Sequence, residues 1–148
     1  MTSTPTISAA DARRIIDAAV AYAEELGAGV CVAVVDSGGN VKALTRMDGA
    51  TFATTALAID KAATAAGYGM STQDLAEFAS GNPAILAGLS NRPGFSLLPG
   101  ALPVNRDGAI AGAVGVSGSS RGEDEPIAAA GLTALTRPPS GVSAPSPA

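Results

Sequence analysis

The chain contains no histidine. That removes the Ser-His-Asp and Cys-His arrangements and the commonest zinc and haem ligand. Proton transfer is left to Asp, Glu, Lys, Tyr or a perturbed Cys. Four charged residues stand where they could do it: Asp36, Arg46, Lys61 and Asp124. Asp36 follows an apolar β-branched run and precedes Gly38 and Gly39. In one reading it is a turn aspartate that accepts from the amides after it. In the other it stands at a pocket mouth, where partial burial raises its pKa toward use as a base.

Arg46 and Asp48 flank Met47 ahead of a long helical segment. Asp48 is either the N-cap of that helix or, with Met47, part of a ligand site. Arg46 is either a surface or inter-subunit partner, or a two-pronged clamp for a substrate carboxylate. Lys61 sits in a stretch otherwise nearly free of charge and reads as a solvated, snorkelling lysine or as a pocket cation. Asp124 follows Ser117-Gly118-Ser119-Ser120-Arg121-Gly122, a run like a phosphate cradle. However, Glu123, Asp124 and Glu125 complement a helix dipole and repel phosphate. Asp124 therefore reads as a helix-start residue, or as half of an acid–base pair with Asp36. The soft or axial ligands on offer are Met47, Met70, Tyr22, Tyr68 and Cys31. Tyr22 and Cys31 fall on core-facing patterns, which leaves Tyr68 as the strongest of that set. The candidate ligand-binding residues are Arg46, Met47, Asp48, Tyr68 and Ser117; no metal site is read.

The elements that must position these residues are legible from periodicity and turn chemistry. Ser8 opens a first helix, whose apolar positions run from Ala12 to Leu26 and end at Gly27. Val30 to Val35 reads as a buried strand and Val41 to Arg46 as its hairpin partner across Asp36–Asn40. An Ala/Thr-rich helix extends to about Ala66 and is ended by Gly67 and Gly69. Ser71 or Thr72 caps a shorter helix over about Gln73 to Ser80, and Ala84 to Leu89 offers one further turn. Leu102 to Asn105 and Ala109 to Ser117 form a second hairpin about Asp107-Gly108, with Gly112, Gly115 and Gly118 allowing close approach or a bulge. A last helix spans about Glu123 to Leu135. The order is α-β-β-α-α-β-β-α, which predicts an α+β domain with an antiparallel sheet of four to five strands covered by helices, and excludes a Rossmann domain.

One domain, residues 8–135, accounts for a chain of 148 residues, followed by a Pro/Ser/Ala-rich tail, 136–148, read as disordered. Aromatics are only 3% and Trp is absent, so Ala, Gly and Val must fill the core. Such a core buries less area per residue, which points to self-association. The net charge is −4 and the two lysines, Lys42 and Lys61, lie far apart; without a basic stripe, nucleic-acid binding is not expected. No apolar run reaches the roughly 20 residues that span a bilayer. The start of the chain lacks a signal-peptide pattern, and the single Cys31 forms no internal disulfide. Together these favour a cytoplasmic location.

Four segments in this order resemble the GlcG/HbpS family: Val32-Ala33-Val34-Val35-Asp36-Ser37-Gly38-Gly39, Arg46-Met47-Asp48-Gly49-Ala50, Lys61-Ala62-Ala63-Thr64-Ala65, and Asp107-Gly108 through Gly112–Gly118 to Glu123-Asp124. The resemblance implies an antiparallel α/β domain assembled as a homo-oligomer, a tetramer or larger. It also implies a small-molecule ligand, with haem or a related tetrapyrrole as the cofactor; the residues themselves name none. Two other readings stay open. One is a cofactor-independent lyase, isomerase or hydratase acting on a small polar metabolite through Asp36, Arg46, Lys61 and Asp124. The other is an accessory protein of a metabolic operon.

Overall fold

The computed structural model describes residues 4–136. Helix α1, Ala9–Leu26, begins where the Ser8 hydroxyl accepts from the Asp11 amide and ends where Gly27 turns left-handed. Strands β1, Cys31–Asp36, and β2, Val41–Arg46, form the first hairpin. Helix α2 runs Ala53–Tyr68, and α3, Thr72–Ser80, is capped by Ser71. Helix α4, Pro83–Ser90, is a full two turns rather than one, because Asn82 caps it and Pro83 occupies its first position. Strands β3, Ala101–Arg106, and β4, Ala109–Ser117, follow. Helix α5, Asp124–Leu132, stops short of the expected Leu135 and passes into a 3-10 turn, Thr133–Leu135. Of the expected tail, only Thr136 falls within the described residues.

The sheet has four strands in the order β2-β1-β4-β3, every neighbour antiparallel. Side chains alternate across it. Val32, Val34, Val114 and Val116 meet Ile15, Ala19 and Ile127 of α1 and α5 on one face. On the other face Cys31, Ala33, Val35 and Ala113 meet Ala58, Ala62 and Ala65 of α2. The small-residue composition has its geometric purpose here. A Cβ on Gly115 would overlap the Ala58 carbonyl of α2 and lie 2.7 Å from the Ala62 nitrogen. Only glycine lets α2 press this closely on the central strand. In the second hairpin Asp107 and Gly108 both take positive φ, as a two-residue I′ turn demands.

Three local expectations are corrected. Gly67 lies inside α2, and Gly69, with φ of 67°, ends it. Asp48 does not cap α2, which starts five residues later behind Phe52 without a side-chain cap. Lys61 does not snorkel: its side chain is 3% exposed, because α2 lies flat on the sheet and the residue points beneath the β4 end.

Candidate functional site

Ser117 is the last residue of β4, and the chain there turns through Gly118–Glu123 into α5. Between that turn, α2, α3 and the loop ahead of β3 lies an open cleft of about 680 Å³, within the range of small-molecule sites. Lys61, Gln73, Ser117, Ser119, Asp124 and Glu125 form its polar wall. Leu98, Pro99, Pro126 and Ala129 form its apolar one.

The centre of the wall is an ion pair. Lys61 Nζ lies 3.1 Å from Asp124 Oδ2 and donates to the Val116 carbonyl at 2.9 Å. The second oxygen of Asp124 accepts from the Ser119 amide at 2.9 Å. The Ser119 hydroxyl in turn accepts from the Arg121 and Glu123 amides, both at 3.2 Å. Three of the amides that could have cradled a phosphate, those of Ser119, Arg121 and Glu123, are thus taken up within the turn. Asp124 and Glu125 occupy the first turn of α5, where its dipole favours negative charge. Gly100 closes the arrangement from the β3 side. Its φ is 136°, and a Cβ there would stand 2.5 Å from the Val116 oxygen and 3.0 Å from Lys61 Nζ. Backbone without a side chain is required at this point.

Glu125 is the residue that the sequence reading did not single out. Its Oε2 is buried without a hydrogen-bond partner among the described residues. Burial pushes its carboxyl above the usual range, and Asp74 and Glu77 of α3 push it further. The one signal available was its place in the acidic run at a helix start, which fits an ordinary dipole partner equally well.

Lys61, Asp124 and Ser117 therefore come together, whereas the other candidates do not join them. Asp36 pairs with Gly112 while Ser117 pairs with Cys31, five residues along the same ladder, so the two ends are about 17 Å apart. Asp36 Oδ1 accepts from the Gly38 and Asn40 amides at 2.9 and 3.0 Å, as a turn aspartate does. Asp36 and Asp124 form no pair within one subunit. Arg46 stands at the same end of the sheet as Ser117, across Cys31, two strand spacings or about 10 Å away. It donates to the Ala50 carbonyl. Met47 packs on the core, with its sulfur near the Val30 amide. Asp48 lies in the turn between β2 and α2. Tyr68 is 42% exposed and meets Phe95 edge-on, outside the cleft. Cys31 is fully buried, which pushes its thiol upward.

Haem iron is ordinarily held by His, Cys, Met or Tyr, and none of these lines the cleft. Iron ligation of that kind does not fit here. An apolar wall beside an ammonium does fit the flat body and carboxylates of a tetrapyrrole. Among the described residues no group of three or more His, Cys, Asp or Glu is arranged to hold a metal ion. No helix there is long and apolar enough to cross a membrane.

Comparison with known proteins agrees with the fold. A double mutant of HbpS from Streptomyces reticuli superposes with a TM-score of 0.83 at 35% identity, over 91% of this chain and 90% of its own. A PduOC:heme complex superposes at 0.80 with 29% identity, over 87% and 94%. An uncharacterized 15.0 kDa protein from the dhaT-dhaS intergenic region of Citrobacter freundii is 32% identical over 86% of this chain and 90% of its own. The model of the haem degrading protein HbpS-like family matches residues 7–133, and the chain belongs to that family.

Proposed function

We propose that this protein binds a small ligand in the cleft above Lys61, Ser117 and Asp124, with residues 8–135 acting as one ligand-binding domain. The observation that carries the reading is the buried ammonium on the wall of a cleft of ligand size. A buried charge is costly unless its surroundings are paired and organised, and here that organisation faces the open space. Haem or a related tetrapyrrole is the ligand that the family likeness supports. It would be held by apolar contact and through its carboxylates rather than by an imidazole. The test is a haem titration of tag-free protein and of Ala129→Trp, which fills the cleft from an exposed position. Binding without imidazole-type bands, lost in the variant at unchanged melting temperature, supports the reading. Undiminished binding in the variant contradicts it.

A second reading has its own observation. Glu125, with its raised pKa beside the Lys61–Asp124 pair, suits a cofactor-independent lyase, isomerase or hydratase acting on a small polar metabolite. The convergence of these groups argues against a purely accessory role. Assembly as a homo-oligomer of four or more chains is part of the proposal. It is supported by exposed Phe52, Phe78, Leu86 and Leu98, and by α4, none of whose side chains is fully buried among the described residues. The lone buried cysteine supports a cytoplasmic location.

A further inference from the structure

We infer that the cleft recognises a carboxylate, held between the Lys61 ammonium, the Ser117 hydroxyl and the Glu125 carboxyl; this rests on the small-ligand reading above. An ammonium has three N–H donors. Lys61 gives one to Val116 and one to Asp124, and no third acceptor stands near it among the described residues. Ser117 is 5% exposed and lines the cleft. Glu125 Oε2 is buried and has no hydrogen-bond partner among the described residues. Buried polar groups are paired in nearly all native proteins. The buried, unpartnered Glu125 oxygen shares the cleft with two further donors, the Ser117 hydroxyl and the remaining N–H of Lys61, and together they describe a missing partner that accepts from all of them once Glu125 carries its proton.

The charges select the state of that partner and of Glu125. Asp124 already balances Lys61, so a second anion is tolerated only while Glu125 is neutral. Burial, with Asp74 and Glu77 on the facing helix α3, keeps the acid form of Glu125 to higher pH than an ordinary glutamate. In that form its O–H donates to one carboxylate oxygen while Lys61 and Ser117 donate to the other. Asp74 and Glu77 on α3 are the charged groups that act on Glu125, and Lys61 on α2 and Asp124 on α5 line the same cleft. The working window therefore runs from the ligand's own ionisation up to that of Glu125. Above it the ionised Glu125 repels the ligand.

The carboxylate has two possible sources, a tetrapyrrole propionate or a free small acid. The experiment titrates the full chain with haem, with haem dimethyl ester and with propionate, following absorbance for the first two and amide NMR shifts for the third. Tighter binding of haem than of its ester, by about tenfold or more as expected for a lost hydrogen bond to a charged group, supports the inference with haem as the source. Binding of propionate alone supports it with a free acid as the source. In either case affinity falls as pH rises through the Glu125 ionisation. Glu125→Gln, which carries a donor at every pH, flattens that profile, and Ser117→Ala weakens binding severalfold. Equal binding of haem and ester with no response to propionate overturns the carboxylate assignment and leaves the cleft reading standing. A pH profile unchanged in Glu125→Gln also overturns it. If none of the three probes binds, the cleft reading itself fails.

Discussion

Removing the charge of Asp124 should destabilise the fold far more than an ordinary surface change. At 3.1 Å, two unit charges attract by about 5 kcal/mol at an effective dielectric constant of about 20. Desolvation consumes part of this, so the pair as a whole contributes much less. Breaking it from one side leaves the other charge buried alone, at a cost of about 3–5 kcal/mol. Asp124→Asn keeps an acceptor for the Ser119 amide, so its cost belongs to the lower end, about 3 kcal/mol. Lys61→Met strands the Asp124 carboxylate and also the Val116 carbonyl, placing it nearer about 4–5 kcal/mol. The double variant removes both charges and should cost about 3 kcal/mol, well below the sum of the single changes. Urea unfolding followed by circular dichroism measures all four proteins at one pH. For a domain of this size each kcal/mol lowers the melting temperature by about 3–5 °C, so Asp124→Asn should melt roughly 10 °C early. A loss under about 1 kcal/mol, the range of an exposed pair, would refute the buried-pair description, as would strict additivity.

Gly100→Ala should cost about 2 kcal/mol or more, because the new methyl meets the Val116 oxygen and Lys61 Nζ at a backbone angle that disfavours side chains; ligand affinity should fall with it, whereas Gly88→Ala, in open space, should be neutral. The Arg106 hydrogen bond to Asp11, at 2.6 Å, holds the Asp11 carboxyl below its usual range. Its folded pKa is thus lower than its unfolded one, and its stabilisation is present above about pH 4 and lost as pH falls through the folded value; Asp11→Asn should therefore lower the melting temperature at neutral pH, converge on the unaltered protein in acid, and so flatten the acid limb of the profile. Light scattering at micromolar concentration should give a mass of at least four chains, and Phe78→Asp with Leu86→Asp should lower it; a monomer in the unaltered protein contradicts the assembly.

What the sequence disclosed and what it hid divide along the range of the interactions involved. The ends of α1 were legible because Ser8 and Gly27 act on their own helix. The second hairpin was legible because Asp107-Gly108 dictates its turn locally. Helix α2 was placed correctly but its start was not: no polar residue caps it, and Asp48 only looked like a cap. The burial of Lys61 was invisible for a related reason. A single lysine in an Ala/Thr helix looks the same whether it reaches water or the sheet. Gly115 and Gly100, more than thirty residues away in sequence, decide the matter by letting α2 and the β3 approach close over it. Asp36 and Asp124 offered matching chemistry, but antiparallel register put them at opposite ends of the sheet. Glu125 had no distinguishing signal, since its environment comes from α3, far along the chain.

The claim on which the account rests is that a ligand occupies the cleft at the end of β4. Amide NMR of the uniformly labelled full chain, titrated with haem and separately with propionate, locates that ligand directly. The predicted result is a contiguous set of perturbed amides from Ser117 to Ala129, joined by Lys61, Gln73 and Leu98, with Asp36 and Asn40 unmoved. Perturbations gathered instead around Tyr68, Met70 and Phe95, or around the Asp36 turn, would contradict it.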